Sequence, residues 1–141
     1  MTGGAGGIVA GLAQGFAAAG ARLVQVDRNE AVEERAAQLR AAGADVATQV
    51  FDITNEAAVA VAIGRTRRDF GRLDVVVNNA AVIVRKHMLE LAMEEWRRVL
   101  DVNVTACFSV APAPFELEPG HHARCIRLDA VAQAASSGAD A

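Results

Sequence analysis

The sequence contains no tyrosine, and aromatic residues make up only 4% of its 141 residues. It contains two cysteines, Cys107 and Cys125, whose separation fits neither a metal site nor a redox motif. The neighbouring His121 and His122 have no third ligand at metal spacing. So few thiols, without a pairing pattern, are typical of a reducing compartment. We therefore expect a cytoplasmic protein that binds no metal ion.

A long apolar run and an excess of charge are also missing. The apolar stretch 6–21 is interrupted by Gly11, Gln14 and Gly15, and it is too short to cross a bilayer. No lysine or arginine precedes it, as one would in a signal peptide. The net charge of −3 gives no electrostatic reason to expect nucleic acid or an anionic membrane as a partner. We predict one soluble globular domain with neither partner.

The sequence repeats one order of elements three times: a helix, a terminating glycine and a short strand. Helices of this length between short β-branched strands predict an α/β fold, a Rossmann-like doubly wound parallel sheet with helices on both faces. The three units are 8–19, Gly20 and 22–27; 30–42, Gly43 and 46–51; and 55–70, Gly71 and 73–78.

A fourth helix is predicted over 94–109, with Trp96 and Val104 on its core face. Prolines at 112, 114 and 119 exclude its continuation. We therefore divide the chain into a nucleotide-binding region, 1–110, and a diverged tail of the same domain, 111–141. The segment Arg124–Leu128 is a candidate for one more strand in that tail.

The glycine-rich turn Thr2–Ile8 directly precedes the first helix. A turn of this kind exposes backbone N–H groups and the positive end of the helix dipole to a phosphate. Asp27, at the end of the following strand, has the position of a carboxylate that accepts hydrogen bonds from a ribose. Such a turn normally follows a strand, yet Met1 alone precedes Thr2. We therefore expect a chain that is cut short, without its first strand.

Polar residues end two further strands of the predicted sheet. Asp52 directly follows the predicted strand 46–51. Asn78 and Asn79 lie at the end of the predicted strand 73–78. Because the carboxyl ends of parallel strands face one crevice, these side chains are expected to converge with Asp27. The sequence therefore predicts a dinucleotide site at this edge.

These residues resemble the short-chain dehydrogenase/reductase family over residues 2 to about 110. Thr2, Gly3 and Gly7 match its T-G-x-x-x-G-x-G motif, and 78–80 match its N-N-A-G motif, with Ala81 in place of glycine. The resemblance implies NAD as cofactor, selected over NADP by Asp27, and a catalytic asparagine at Asn103. The implied cofactor-binding residues are Gly3, Ala5, Gly7, Ile8, Asp27, Asp52, Ile53, Asn79, Ala80 and Ala81.

The chain also departs from the family pattern. Val9 replaces the last glycine of the first motif, which is expected to crowd the first helix against the strand or the cofactor. The family's general acid/base is a tyrosine beside a lysine, and this chain has no tyrosine. Its serine position falls near Ala130, and the Tyr-x-x-x-Lys motif would begin at or just past Ala141.

The resemblance implies NAD(H)-dependent hydride transfer to or from a secondary alcohol or ketone, by a chain that is catalytically incomplete. Residues 79–91 resemble those of sugar-acid dehydrogenases, which implies a sugar or sugar acid as the small-molecule substrate. Two alternatives remain: a non-catalytic NAD(H)-binding module, and a methyltransferase-like sheet that binds a nucleoside sulfonium cofactor. Association with further copies of the chain is left open.

Overall fold

The computed structural model of the protein describes residues 1–111, 115–118 and 121–123. Its helices are α1 (Gly7–Ala18), α2 (Ala31–Ala41), α3 (Glu56–Phe70), α4 (Met93–Leu100) and α5 (Ala106–Val110), with a π-helical turn at Asp101–Thr105 and a 3-10 turn at Met88–Glu90. Its strands are β1 (Leu23–Asp27), β2 (Val46–Val50), β3 (Phe115–Glu118) and β4 (His121–Ala123).

Strands β1 and β2 form the centre of the fold. They pair in parallel, from Leu23 opposite Val46 to Asp27 opposite Val50, so both strands end at the same edge. Gly20, Gly43 and Gly71 follow the three preceding helices with φ of 81°, 87° and 79°. The left-handed conformation that ends each helix favours glycine, which confirms the three predicted helix ends, and strands follow the first two of these glycines.

The helices cover both faces of this sheet. Leu23 and Val46 pack with Ala13 of α1 and with Ala36 and Leu39 of α2 on one face. On the other face, Val26 packs with Val59 of α3 and with Ala106 and Val110 of α5. This alternation of helices across a parallel sheet is the predicted Rossmann-like α/β fold.

The predicted strand 73–78 is not formed in this structure, because residues 71–81 have no regular secondary structure. In the described part of the chain, its one backbone–backbone hydrogen bond runs from the Thr2 N–H to the Val77 carbonyl oxygen, at 2.9 Å. Thr2 in turn makes an isolated parallel bridge with Val26. A strand needs a paired neighbour, and Met1 and Thr2 fill only the end of the space between this segment and β1.

The core face predicted for the fourth helix is wrong. Trp96 is 42% exposed and Val104 is 61% exposed. The buried side chains of this region are Ala106 and Val110, near its carboxyl end. Helical spacing identifies an apolar face, but it does not identify which face has a partner.

The remaining elements lie outside the sheet. Strands β3 and β4 pair antiparallel, with Phe115 opposite Ala123, a hairpin that the proline pattern did not predict. The candidate strand Arg124–Leu128 lies outside the described residues. Over the described ranges, no helix is long and apolar enough to cross a membrane, and no cluster of three or more His, Cys, Asp or Glu side chains is placed to hold a metal ion.

Candidate nucleotide-binding cleft

A cleft of about 360 Å³ opens where β1, β2 and segment 73–78 end. It lies beside the glycine-rich turn and the first turn of α1. Its walls therefore bring together three parts of the chain that are far apart in sequence. The lining residues are Gly3, Gly6, Gly7, Ile8, Asp27, Arg28, Phe51, Asp52, Ile53, Asn79, Ala80, Ala81, Val82 and Val102.

Two glycines of the turn are fixed by close packing. Gly3 has φ of 73°, and a Cβ there would lie 2.7 Å from Nδ2 of Asn79. A Cβ at Gly4 would lie 2.8 Å from a methyl carbon of Val32 and 3.0 Å from Cβ of Gln25. Gly3 thus lets the turn approach the Asn79 loop, whereas Gly4 lets it approach β1 and α2.

Helix α1 presents unpaired backbone donors to the cleft. Its N-cap is Gly6, which has no side chain to accept from the first-turn N–H groups. No acidic side chain lies in that first turn. Gly7 and Ile8 therefore offer N–H groups and the positive helix end to an anion. Val9 is fully buried and does not line the cleft, so its isopropyl group points into the interior.

Asp27, at the end of β1, lines the same cleft. One carboxylate oxygen, Oδ2, accepts from the Ala5 N–H at 3.0 Å, and Oδ1 accepts from the Asn29 N–H at 2.9 Å. These bonds fix the orientation of the carboxylate at the end of β1. Arg28, the next residue, also lines the cleft. The first bond also places Ala5 behind Asp27, and Ala5 does not line the cleft.

Asp52 lies beyond the end of β2 on the neighbouring wall. Its Oδ1 accepts from the Thr54 N–H at 2.9 Å and from the Thr54 hydroxyl at 2.8 Å. These hydrogen bonds, with smaller contributions from the charges of Arg28 and Arg98, hold the pKa of the Asp52 carboxyl below its usual value. The group is therefore ionised at neutral pH.

Thr2 connects the glycine turn to the Asn79 loop. The residue is buried, with 4% of its surface exposed. The hydroxyl oxygen accepts from the N–H groups of Asn79 and Ala80, both at 3.1 Å, and the hydroxyl donates to the Val77 carbonyl at 3.4 Å. One buried hydroxyl therefore fixes the backbone of this loop at Asn79 and Ala80.

Asn103 lies on the π-helical turn and supports the opposite end of that wall. Its Oδ1 accepts from the Val82 N–H and its Nδ2 donates to the Val82 carbonyl, both at 2.9 Å. The π-helical turn interrupts the helix at this point, and such turns are frequent at functional sites. Both polar groups of the Asn103 side chain are thus engaged with the backbone.

Most of the residues singled out from the sequence converge at this cleft. All the cofactor-binding residues implied by the family resemblance line the cleft, except Ala5. Asn103 adjoins the cleft through its hydrogen bonds to Val82. Sequence reasoning missed the lining residues Phe51, Val82 and Val102. Phe51 directly precedes Asp52 at the end of the predicted strand 46–51. Because the carboxyl ends of parallel strands face the crevice, the same reasoning could have identified Phe51. Val82 and Val102 carry no chemical signal in the sequence.

A glycine turn at a helix start, with carboxylates on neighbouring strand ends, defines the class of proteins that bind a dinucleotide at the carboxyl edge of a parallel sheet. Residues 1–132 match the family described as short chain dehydrogenase. The chain therefore belongs to the short-chain dehydrogenase/reductase family. This membership argues against the methyltransferase-like alternative.

Individual relatives agree with this assignment. An uncharacterized oxidoreductase of Thermotoga maritima is 42% identical over 107 residues, which are 74% of this chain and 41% of the relative. Gluconate 5-dehydrogenase of Gluconobacter oxydans is 34% identical over 80% of this chain and 44% of its own length. A metagenomic short-chain oxidoreductase in complex with NADP has a TM-score of 0.71 at 29% identity, over 77% of this chain and 50% of that one. The chain thus spans less than half the length of the two curated relatives and half of the chain in the solved structure.

Proposed function

We propose that residues 1–110 bind NAD(H) and form the cofactor-binding region of an oxidoreductase that acts on a secondary alcohol or ketone. The observation that carries this proposal is the uncapped start of α1, whose free N–H groups face a cleft flanked by Asp27 and Asp52. A pyrophosphate fits the helix end, and a ribose diol fits a fixed carboxylate acceptor.

Each wall has a separate part in holding the cofactor. The N–H groups of Gly7 and Ile8 bind the pyrophosphate, and Gly3 allows its close approach. Asp27 accepts from the adenosine ribose, while Asp52 and Ile53 border the adenine. Ala80 and Ala81, held by Thr2, contact the rest of the dinucleotide. In this chain Asn103 positions Ala81 and Val82, because its amide is engaged with the Val82 backbone.

The charge of Asp27 favours NAD over NADP. Like charges about 4 Å apart near a protein surface repel by about 4 kcal/mol, so a carboxylate disfavours a 2′-phosphate at this place. Arg28 beside it reduces the preference, because its guanidinium attracts the same phosphate. We therefore expect NADH to bind about tenfold more tightly than NADPH, which corresponds to roughly 1.4 kcal/mol.

Calorimetric titration of the chain with NADH and NADPH tests this proposal. Asp27→Asn is expected to remove most of the preference for NADH. Asp45→Asn is the matched control, because Asp45 is exposed at the opposite end of β2 and lies outside the cleft. If neither nucleotide binds, the proposed site is refuted. If NADPH binds equally well to the parent chain, only the assigned role of Asp27 is refuted.

The bound nicotinamide supplies a carbon that accepts or donates a hydride, and this chain supplies no tyrosine for the accompanying proton transfer. We therefore propose that these 141 residues bind the cofactor without appreciable turnover. A sugar or sugar acid is the proposed substrate class of the complete activity, supported by the similarity to gluconate 5-dehydrogenase. Clear reduction of NAD by the chain with gluconate or a sugar alcohol would contradict the proposed loss of turnover.

The second candidate function is that of an NAD(H)-binding module without catalysis. It is supported, for these 141 residues, by the lack of a tyrosine among them. Saturable NADH binding and cooperative unfolding, with no turnover of any secondary alcohol in a panel, are the results expected for such a module.

A further inference from the structure

Strand β2 has an open edge on the side away from β1. In the described part of the chain it pairs with β1 alone, and the Leu23 N–H donates to the Asp45 carbonyl oxygen at 2.9 Å. Asp45 and the odd-numbered residues of β2 therefore bond to β1. Because successive residues of a strand bond to opposite sides, the backbone groups of Val46, Thr48 and Val50 point away from β1 and form the β2 edge. Unpaired N–H and C=O groups on such an edge are a template for a further strand.

The β2 edge is complementary to itself. When two copies of the chain pair antiparallel about Thr48, this residue lies opposite Thr48 of the second copy, and Val46 lies opposite Val50. All three residues then occupy hydrogen-bonded positions of the ladder, because all three direct their backbone groups outwards. The strand contains no charged residue, no proline and no glycine, which favours the association of strands. The partner that fits this edge is therefore a second copy of the chain.

Two charged side chains of α2 reach β2 at this edge. The Nε–H of Arg40 donates to the Val46 carbonyl oxygen at 2.8 Å, which is one of the outward acceptors. The Nη2 atom of Arg40 lies 3.5 Å from Oε2 of Glu33. The Thr48 hydroxyl donates to Oε1 of the same carboxylate. Arg40 and Glu33 thus form a charged clasp that joins α2 to the first half of the β2 edge.

The clasp places charge where a second copy would have to pack. The guanidinium of Arg40 is always protonated. The hydrogen bond from Thr48, together with Arg40, keeps the pKa of the Glu33 carboxyl below its usual value, so this group is ionised at neutral pH. In the antiparallel pair, the Val46 carbonyl of each copy is needed by the Val50 N–H of the other. Arg40 already occupies that carbonyl, so pairing has to break its hydrogen bond in both copies.

We propose that the Arg40–Glu33 clasp is an autoinhibitory contact that prevents the β2 edge from pairing with the same edge of a second copy. While the clasp is closed, the ladder between two copies lacks a bond at each end, and two guanidinium groups face each other across it. Loss of the clasp leaves an uncharged, hydrogen-bonding edge. Neither Arg40 nor Glu33 lines the nucleotide-binding cleft, so this role does not depend on the proposed function.

The variant Arg40→Met removes the clasp and retains an unbranched side chain. Arg35→Met is the matched control, because Arg35 is exposed on the same helix and has no side-chain hydrogen bond or ion pair within the described residues. Both variants lose one positive charge, so a difference between them is not an effect of net charge. Sedimentation equilibrium of the whole chain measures the self-association constant. We expect it to rise at least about tenfold in Arg40→Met and to keep the parent value in Arg35→Met.

Amide exchange and a second substitution locate the contact. The Thr48 and Val50 amides are expected to exchange roughly tenfold more slowly in Arg40→Met, at concentrations where it associates, than in the parent chain. Thr48→Pro, added to Arg40→Met, deletes an outward N–H and leaves the bonds to β1 in place, because proline is tolerated on an edge strand. We expect this double variant to return to the parent association constant. Arg40→Lys keeps a charge and a donor at the edge and is expected to behave as the parent does.

Equal self-association of Arg40→Met and the parent would overturn the proposal, and so would an equal rise in Arg35→Met. The proposal is also wrong if Thr48→Pro leaves the association of Arg40→Met unchanged, because the contact then lies on another surface. Concentration-dependent protection of the Thr48 amide in the parent has the same meaning, since the clasp then fails to close the edge. If the proline variant does not fold, unchanged exchange at Thr48 and Val50 in Arg40→Met is sufficient to reject the proposal.

Discussion

Replacement of Thr2 by valine tests whether one hydroxyl holds the cleft together. Thr2→Val keeps the shape of the side chain but removes the acceptor for the N–H groups of Asn79 and Ala80. Each buried donor left without a partner costs about 1–3 kcal/mol. We expect a net loss of about 2–4 kcal/mol in the free energy of unfolding, since the buried hydroxyl itself no longer needs a partner. This is a large share of the 5–15 kcal/mol that is typical of small domains.

Urea unfolding followed by circular dichroism measures this loss, and NADH titration reports on the cleft. Thr2→Ser retains the hydroxyl and is expected to stay within about 1 kcal/mol of the parent chain. NADH binding should weaken in Thr2→Val and persist in Thr2→Ser. Equal stability of Thr2→Val and the parent, or an equal loss in both variants, would refute the assigned role of the hydroxyl.

Three further predictions concern the turn, the core and the amino terminus. Gly3→Ala forces a φ of 73° on alanine and brings its Cβ to 2.7 Å from Nδ2 of Asn79. Urea unfolding should therefore show a loss of about 1–3 kcal/mol in the free energy of unfolding. Gly7→Ala is the control and should show no loss, because a Cβ there meets open space. Gln25 is fully buried, and neither its Oε1 nor its Nε2 has a partner in the described structure. Gln25→Met removes these two polar atoms and should raise the free energy of unfolding by about 1–3 kcal/mol. An unchanged urea midpoint would contradict this. The pKa of the Met1 amine is about 6 when folded and 8.0 otherwise, so the unfolded chain binds more protons between these values. Stability should therefore rise by up to about 2.7 kcal/mol from pH 6 to 8 and level off above, a dependence that amino-terminal acetylation should abolish.

The sequence was most informative where one residue type has one physical use. Gly20, Gly43 and Gly71 mark helix ends because the left-handed conformation excludes most other residues. Asp27 and Asp52 were identified as cleft residues because parallel strands end at one edge, whichever helices cover them.

Sequence reasoning failed where the outcome depends on a partner element. Residues 73–78 have the composition of a buried strand, but a strand forms only against a neighbour, and two residues are too few to provide one. Trp96 has helical spacing and apolar character, yet its face is solvent-exposed because the packing contact lies at Ala106 and Val110. The hydrogen bonds between the Asn103 side chain and the Val82 backbone could not be predicted either, because they depend on how two distant segments pack.

The hydrogen bonds of Thr2 also have a consequence for the order of folding. Thr2 and Asn79 are separated by 77 residues, whereas Leu23 and Val46 of the β1–β2 pair are about 23 apart. The entropy of loop closure makes the Thr2–Asn79 contact about 1 kcal/mol more costly to form than the Leu23–Val46 contact. The Thr2–Asn79 contact also completes no pair of strands. We therefore expect β1, α2 and β2 to assemble early and the cleft wall at Asn79 to dock late. The proposed nucleotide site is therefore expected to form in the last step of folding. A ligand that binds there should then slow unfolding of the region that opens first.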